Sequence, residues 1–104
     1  MADGKTVRVA GVSEVAPGDM RVVTVEGRTL ALCNIDGTVY AVDNACPHRG
    51  GPLGEGDLEG RVVTCPWHGW QWDVTTGASI NNPAMRVACV PVSVEGADLR
   101  VTLA

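Results

Sequence analysis

Apolar and polar residues alternate along much of this chain, and apolar positions nowhere recur with the spacing of a helix face. In TVRVAGV (6–12), Val7 and Val9 alternate with Thr6 and Arg8. Runs of this kind, bounded by Gly, Pro, Asn and Asp, predict half-buried strands. The pattern predicts further strands at MRVVTV (20–25), RTLALCNI (28–35), TVYAVD (38–43), RVVTC (61–65), WQWDV (70–74), MRVACVPVSV (85–94) and LRVTL (99–103). Turns fall at Pro17-Gly18, at Glu26-Gly27, at TTG (75–77) and at EGAD (95–98). Asp36-Gly37 is the strongest hairpin signal, because both central residues of the tight turn must tolerate positive φ. Residues 44–60 hold five Gly and two Pro and are predicted to contain no strand.

The expectation is an all-β chain of eight to ten short strands, spaced as in an antiparallel sandwich or barrel. At 104 residues it is a single domain, 1–104. Residues 1–43 and 85–104 form its strand-rich base, and 44–84 a loop-rich insertion. Aromatic residues are only 4% and Phe is absent, so Val, Leu and Ala must fill the interior. A small core of that kind gains from a metal staple.

The net charge of −4 argues against nucleic acid and suits docking on a basic protein surface. The first residues, MADGKTVRVAGV, lack a basic head and apolar run, and no segment approaches a membrane span. The expected setting is therefore cytoplasmic, with no membrane partner. There, four cysteines favour metal binding over disulfides.

Two stretches concentrate the candidate chemistry, CPHRGG (46–51) and CPWHGW (65–70). They hold Cys46, His48, Cys65 and His68, which are half the cysteines and both histidines of the chain. Each places Pro after Cys and Gly soon after His. Two thiolates and two imidazoles suffice for a tetrahedral zinc or for a two-iron cluster. Zinc turns commonly donate like ligands in pairs, whereas each loop here offers one Cys and one His. Mixed loops let one iron take both cysteines and the other both histidines. Two ferric ions, two sulfides and two thiolates sum to zero charge, so an added electron is accepted more readily than by an all-Cys cluster. Such centres span roughly −150 to +300 mV, against about −400 mV for plant-type ferredoxins.

The pair C-x-H and C-x-x-H, with sixteen residues between His48 and Cys65, resembles the signature of Rieske proteins. The resemblance extends through the strand pattern over nearly the whole chain. It implies the Rieske fold, with 44–84 as the cluster-binding subdomain, and a 2Fe–2S cluster. Cys46 and Cys65 would hold the inner iron, His48 and His68 the outer one. It further implies a covering third loop, matched here by NNPA (81–84) with Pro83. Quinol-oxidising members carry a bridging Cys in each loop, where this chain has Gly51 and Trp67. They also carry a Ser and a Tyr whose hydroxyls donate to the cluster sulfurs, where this chain has Trp70 and Trp72. Fewer donors place the expected potential at the low end of the range.

The chain is thus similar to the soluble Rieske ferredoxins. These carry one electron at a time from a flavin-dependent reductase to a terminal oxygenase, often an aromatic-ring dioxygenase. The resemblance implies no catalysis of the chain's own, transient docking and a monomer. A small Rieske-like subunit of an NAD(P)H nitrite reductase complex and a structural zinc module are the alternatives.

The remaining cysteines, Cys33 and Cys89, are expected to be buried free thiols. Trp67 is expected to shield the cluster or to dock a partner, and Trp70 and Trp72 to pack in the core. Gly50, Gly51 and Gly69 are expected to permit tight turns at the cluster. Arg49 would put its charge near the cluster. Glu55, Asp57 and Glu59 make the segment between the loops acidic.

Overall fold

The computed structural model describes residues 5–46, 51–67, 69–82 and 84–103. Ten strands in three antiparallel sheets make up the described fold. The strands are β1 (Lys5–Gly11), β2 (Met20–Val25), β3 (Arg28–Ile35), β4 (Thr38–Asp43), β5 (Asp57–Glu59), β6 (Val62–Thr64), β7 (Gln71–Asp73), β8 (Cys89–Val90), β9 (Val92–Glu95) and β10 (Asp98–Leu103). The sheet orders are β1-β10-β9, β2-β3-β4-β8 and β5-β6-β7. Short 3₁₀ turns at Val12–Glu14 and Leu53–Glu55 are the helical elements among the described residues.

β3 explains the layering. Leu30 through Asn34 are all buried, which a strand with one wet face does not allow. Leu30 and Leu32 pack into a core against the β1-β10-β9 sheet, with Leu99 and Val101. Ala31 and Cys33 face the other way, into a second core with Cys46, Leu53, Val63, Cys65 and Trp72. The middle sheet is therefore the shared wall, and the second core ties it to β5-β6-β7.

Two hairpin turns set this register. Glu26 and Gly27 have φ of 51° and 79°, and Asp36 and Gly37 have 52° and 96°. That double left-handed geometry matches the twist of the flanking strands. Asn34 locks the second turn, accepting from the Gly37 N–H at 2.7 Å and donating to the Val15 carbonyl at 2.7 Å.

The structure corrects two strand expectations. Residues 57–59 form a strand, because β5 pairs with β6 from Asp57–Thr64 to Glu59–Val62 and pairing outweighs its polar composition. The run 85–94 is not one strand. Met85–Ala88 is irregular, and Pro91, which has no N–H to give a ladder, separates the two-residue β8 from β9.

Asp73 at the end of β7 anchors the turn that follows. Its carboxylate accepts from the Thr75 N–H at 2.9 Å and hydroxyl at 2.6 Å, and pairs with Arg61 at 3.1 Å. Burial works to raise its pKa, but the Thr75 hydroxyl and N–H, Arg61 and the Thr76 N–H together hold it below the usual carboxylate value. A depressed folded pKa stabilises the fold above the unfolded value, about 3.9, and that gain is lost as pH falls through the folded pKa. Asp73→Asn is therefore expected to cost about 1–3 kcal/mol at pH 7. The gap should close in acid, as urea unfolding at a series of pH values will check.

Candidate metal centre

The two loops are closed alike at their described ends. The Cys46 N–H donates to the Gly51 carbonyl at 2.8 Å, and the Cys65 N–H to the Trp70 carbonyl at 2.7 Å. Each cysteine thus sits at the neck of its own loop. Below the first neck, Ala45 bridges to Pro52, and the Asn44 side chain accepts from the Gly54 N–H at 2.7 Å. Below the second lies the β6–β7 ladder, with Thr64 opposite Gln71.

This architecture brings Cys46 and Cys65 together. Both are buried, at 2% and 1% exposure, and pack in one core. Burial above all, and Cys46 beside it, hold the Cys65 thiol above its ordinary value, and the Trp67 backbone N–H offsets part of that rise. A metal takes the thiolate, so a metal bound here would supply the charge that burial disfavours. Gly51 supplies the remaining room. A Cβ there would lie 2.8 Å from the Cys65 Sγ and 2.9 Å from the Trp67 Cγ. Gly51 and Trp67, the positions where quinol-oxidising members are bridged, therefore sit against each other, without cysteines.

The residues present fit a cluster held from two loops. His48 and His68, with Arg49, Gly50 and Pro83, lie outside the described residues. Among the described residues no three His, Cys, Asp or Glu side chains converge on one point.

The flanks of the site follow expectation in most respects. Trp67 is half exposed, at 50%. Trp72 is fully buried and stacks on Trp70, with ring centroids 6.0 Å apart. Gly69 takes φ 73°. The third loop is pinned beside the second: the Asn81 side chain accepts from the Gln71 N–H at 2.6 Å. Ser79 Oγ accepts from the Asn81 and Asn82 N–H groups at 3.2 and 3.1 Å. Glu55, Asp57 and Glu59 are all exposed.

The cysteines outside the site divide. Cys33 is buried and its thiol is pushed up to about 12 by burial. Cys89 corrects the expectation of a buried thiol. It is exposed on the short edge strand β8 and lines an apolar cleft with Tyr40 and Val92. Iodoacetamide is expected to alkylate Cys89 in the folded protein and Cys33 only after unfolding, as peptide mass spectrometry will show.

The fold and the paired cysteine loops define a small β-sheet carrier of a metal cluster. The Rieske [2Fe-2S] domain family matches residues 5–92, and the chain belongs to that family. Its cofactor is a Rieske-type 2Fe–2S cluster, which removes the zinc reading, and its work is electron transfer. It is 37% identical over 100 residues to the ferredoxin component of the naphthalene 1,2-dioxygenase system of Pseudomonas aeruginosa, covering 95% of this chain and 96% of that one. Its fold matches, with TM-score 0.85 and 31% identity, a chain in a complex of reduced oxygenase and oxidized ferredoxin in carbazole 1,9a-dioxygenase, covering 92% of this chain and 91% of that one. The ferredoxin of carbazole 1,9a-dioxygenase from Nocardioides aromaticivorans IC177 matches with TM-score 0.89 and 28% identity, covering 96% and 99%. Among the described residues no helix is long and apolar enough to cross a membrane.

Proposed function

We propose that this chain carries single electrons from a flavin-dependent reductase to the terminal oxygenase of an aromatic-ring dioxygenase system. The observation that carries the reading is the meeting of Cys46 and Cys65, one from each loop, beneath a half-exposed Trp67. Cys46 and Cys65 would hold the buried iron, and His48 and His68 the outer one. The cluster, when bound, accepts one electron and gives it up again. The chain's own residues do the rest. Gly51 lets the first loop close on the second, against the Cys65 sulfur. Residues 44–84 act as the cluster-binding subdomain, on a base of 1–43 and 85–104.

Docking is transient and takes place in the cytoplasm, between a monomer and its partners. Trp67 offers an exposed aromatic anchor beside the cluster, and exposed Glu55, Asp57 and Glu59 offer charge for a basic partner face.

The test is reoxidation of the dithionite-reduced protein, freed of reductant, by a terminal oxygenase of this class with substrate and oxygen. Hydroxylated product in proportion to the reduced protein added is expected. Rates should fall with salt, since the docking charges are screened. Trp67→Ala should weaken docking about tenfold or more, as anchor residues do. Co-purification with a permanent large subunit, or no product with any oxygenase of the class, would overturn the reading.

A further inference from the structure

Trp72 carries an unexplained polar atom. Its side chain is fully buried, and its indole Nε1 has no hydrogen-bond partner among the described residues. Burying an N–H without an acceptor costs about 1–3 kcal/mol, so native chains seldom leave one.

The ladder shows where this donor lies. Val63 stands opposite Trp72 and Thr64 opposite Gln71. Cys65 continues the pairing, its N–H donating to the Trp70 carbonyl at 2.7 Å. Opposed residues share a face and faces alternate along a strand, so Val63, Cys65, Trp70 and Trp72 project together. Cys65 and Trp72 are then diagonal neighbours, about 7–8 Å apart along the backbone and within reach of an aromatic side chain. Both belong to the core that also encloses Cys46. The side-chain acceptors around Trp72 are the Tyr40 hydroxyl, the sulfurs of that core and the hydroxyl of Ser79, which bridges to Trp72 but already accepts the Asn81 and Asn82 N–H groups. Of those sulfurs, only Cys46 and Cys65 belong to the proposed cluster site, and thiolates or sulfides are much stronger acceptors than neutral thiols or thioethers.

We propose that the Trp72 indole N–H donates a hydrogen bond to a sulfur of the bound centre, either the Cys65 thiolate or the sulfide beside it. This rests on the reading that Cys46 and Cys65 hold the cluster. The reduced centre carries one more negative charge than the oxidised one, so the donor stabilises the reduced form more and raises the potential. Trp72 is thus a positioning and tuning residue.

The test compares the reduction equilibrium of wild type, Trp72→Phe and, as control, Cys89→Ala, on an exposed edge strand. Phe keeps the buried ring and removes the N–H. For Trp72→Phe the equilibrium constant is expected to fall about tenfold, or about 59 mV for one electron. Cys89→Ala should not move it. An intact visible spectrum with an unmoved potential in Trp72→Phe would overturn the proposal. If Trp72→Phe fails to load, pulsed EPR of the Trp67→Phe/Trp70→Phe protein labelled with indole-15N tryptophan, whose one indole is Trp72, decides. A coupled indole nitrogen is expected in the reduced state, and its absence overturns the proposal. A wild-type protein with no rhombic signal on reduction would instead remove the cluster assignment on which the proposal stands.

Discussion

Replacing Cys65 or His68 by alanine is expected to give a colourless protein, without the rhombic EPR signal that the wild type shows on reduction. The effect should be all or none, because a two-iron centre that loses a ligand at either iron is not held. Cys65 is the more informative position, since it is buried in one core with Cys46. Thermal stability should fall with the colour. A ligand present at about a thousand times its dissociation constant adds about 4 kcal/mol, and each kcal/mol moves Tm by about 4–8 °C in a domain of this size. The variants should therefore melt at least about 15 °C below the loaded wild type, and close to the chelator-treated apoprotein. Cys89→Ala is the control. Its thiol lies exposed on an edge strand, so the variant should keep full absorbance. Colour retained in Cys65→Ala, or lost in Cys89→Ala, would break the ligand assignment. Iron content and visible absorbance on the purified proteins measure both.

Much of this site is legible in the sequence, because ligand chemistry and turn chemistry both leave residue types behind. Asp36-Gly37 marks its hairpin through a backbone conformation that few residues accept. RTLALCNI reads as a strand from its β-rich run, but its burial on both faces shows only in the two cores it separates. Features held by pairing alone leave no such mark. β5 is acidic and short, and exists because β6 lies beside it. The matching closures at Cys46 and Cys65 are backbone hydrogen bonds, which any residue could make. Cys89 reads as a core residue from its apolar neighbours, yet β8 is a two-residue edge that leaves it exposed. Trp72 shows a different blind spot. A search for hydroxyl donors finds none at Trp70 and Trp72, and passes over an indole N–H that only the folded core reveals as unpartnered.

Gly51→Ala is expected to lose most of the bound cluster, although it adds one methyl group. That Cβ would stand 2.8 Å from the Cys65 Sγ and 2.9 Å from the Trp67 Cγ, closer than such atoms approach in real proteins. Something must move, and the candidates differ in freedom. The Trp67 ring is half exposed and can swing into solvent. The Cys65 sulfur is buried, and on the proposed ligand assignment it would be tied to iron in the loaded protein. Nor can the glycine retreat freely, because its carbonyl accepts the Cys46 N–H, so a shift at Gly51 drags the other thiol with it. Overpacking of this kind costs about 1–3 kcal/mol in an ordinary core. Here the strain falls on the ligand pair, so iron content should drop before the fold does. A double variant identifies the colliding partner. If the Trp67 ring were the obstacle, Gly51→Ala with Trp67→Ala would recover the cluster. Because the sulfur is the fixed neighbour, no recovery is expected. Gly69→Ala offers the contrast, since φ 73° strains a side chain there but a Cβ meets nothing within 4 Å. That variant should cost about 1 kcal/mol and keep its colour. Iron per chain and Tm across the four proteins separate these outcomes. Full loading of Gly51→Ala would mean that the two loops are held apart by more than the contact between Gly51 and Cys65 allows.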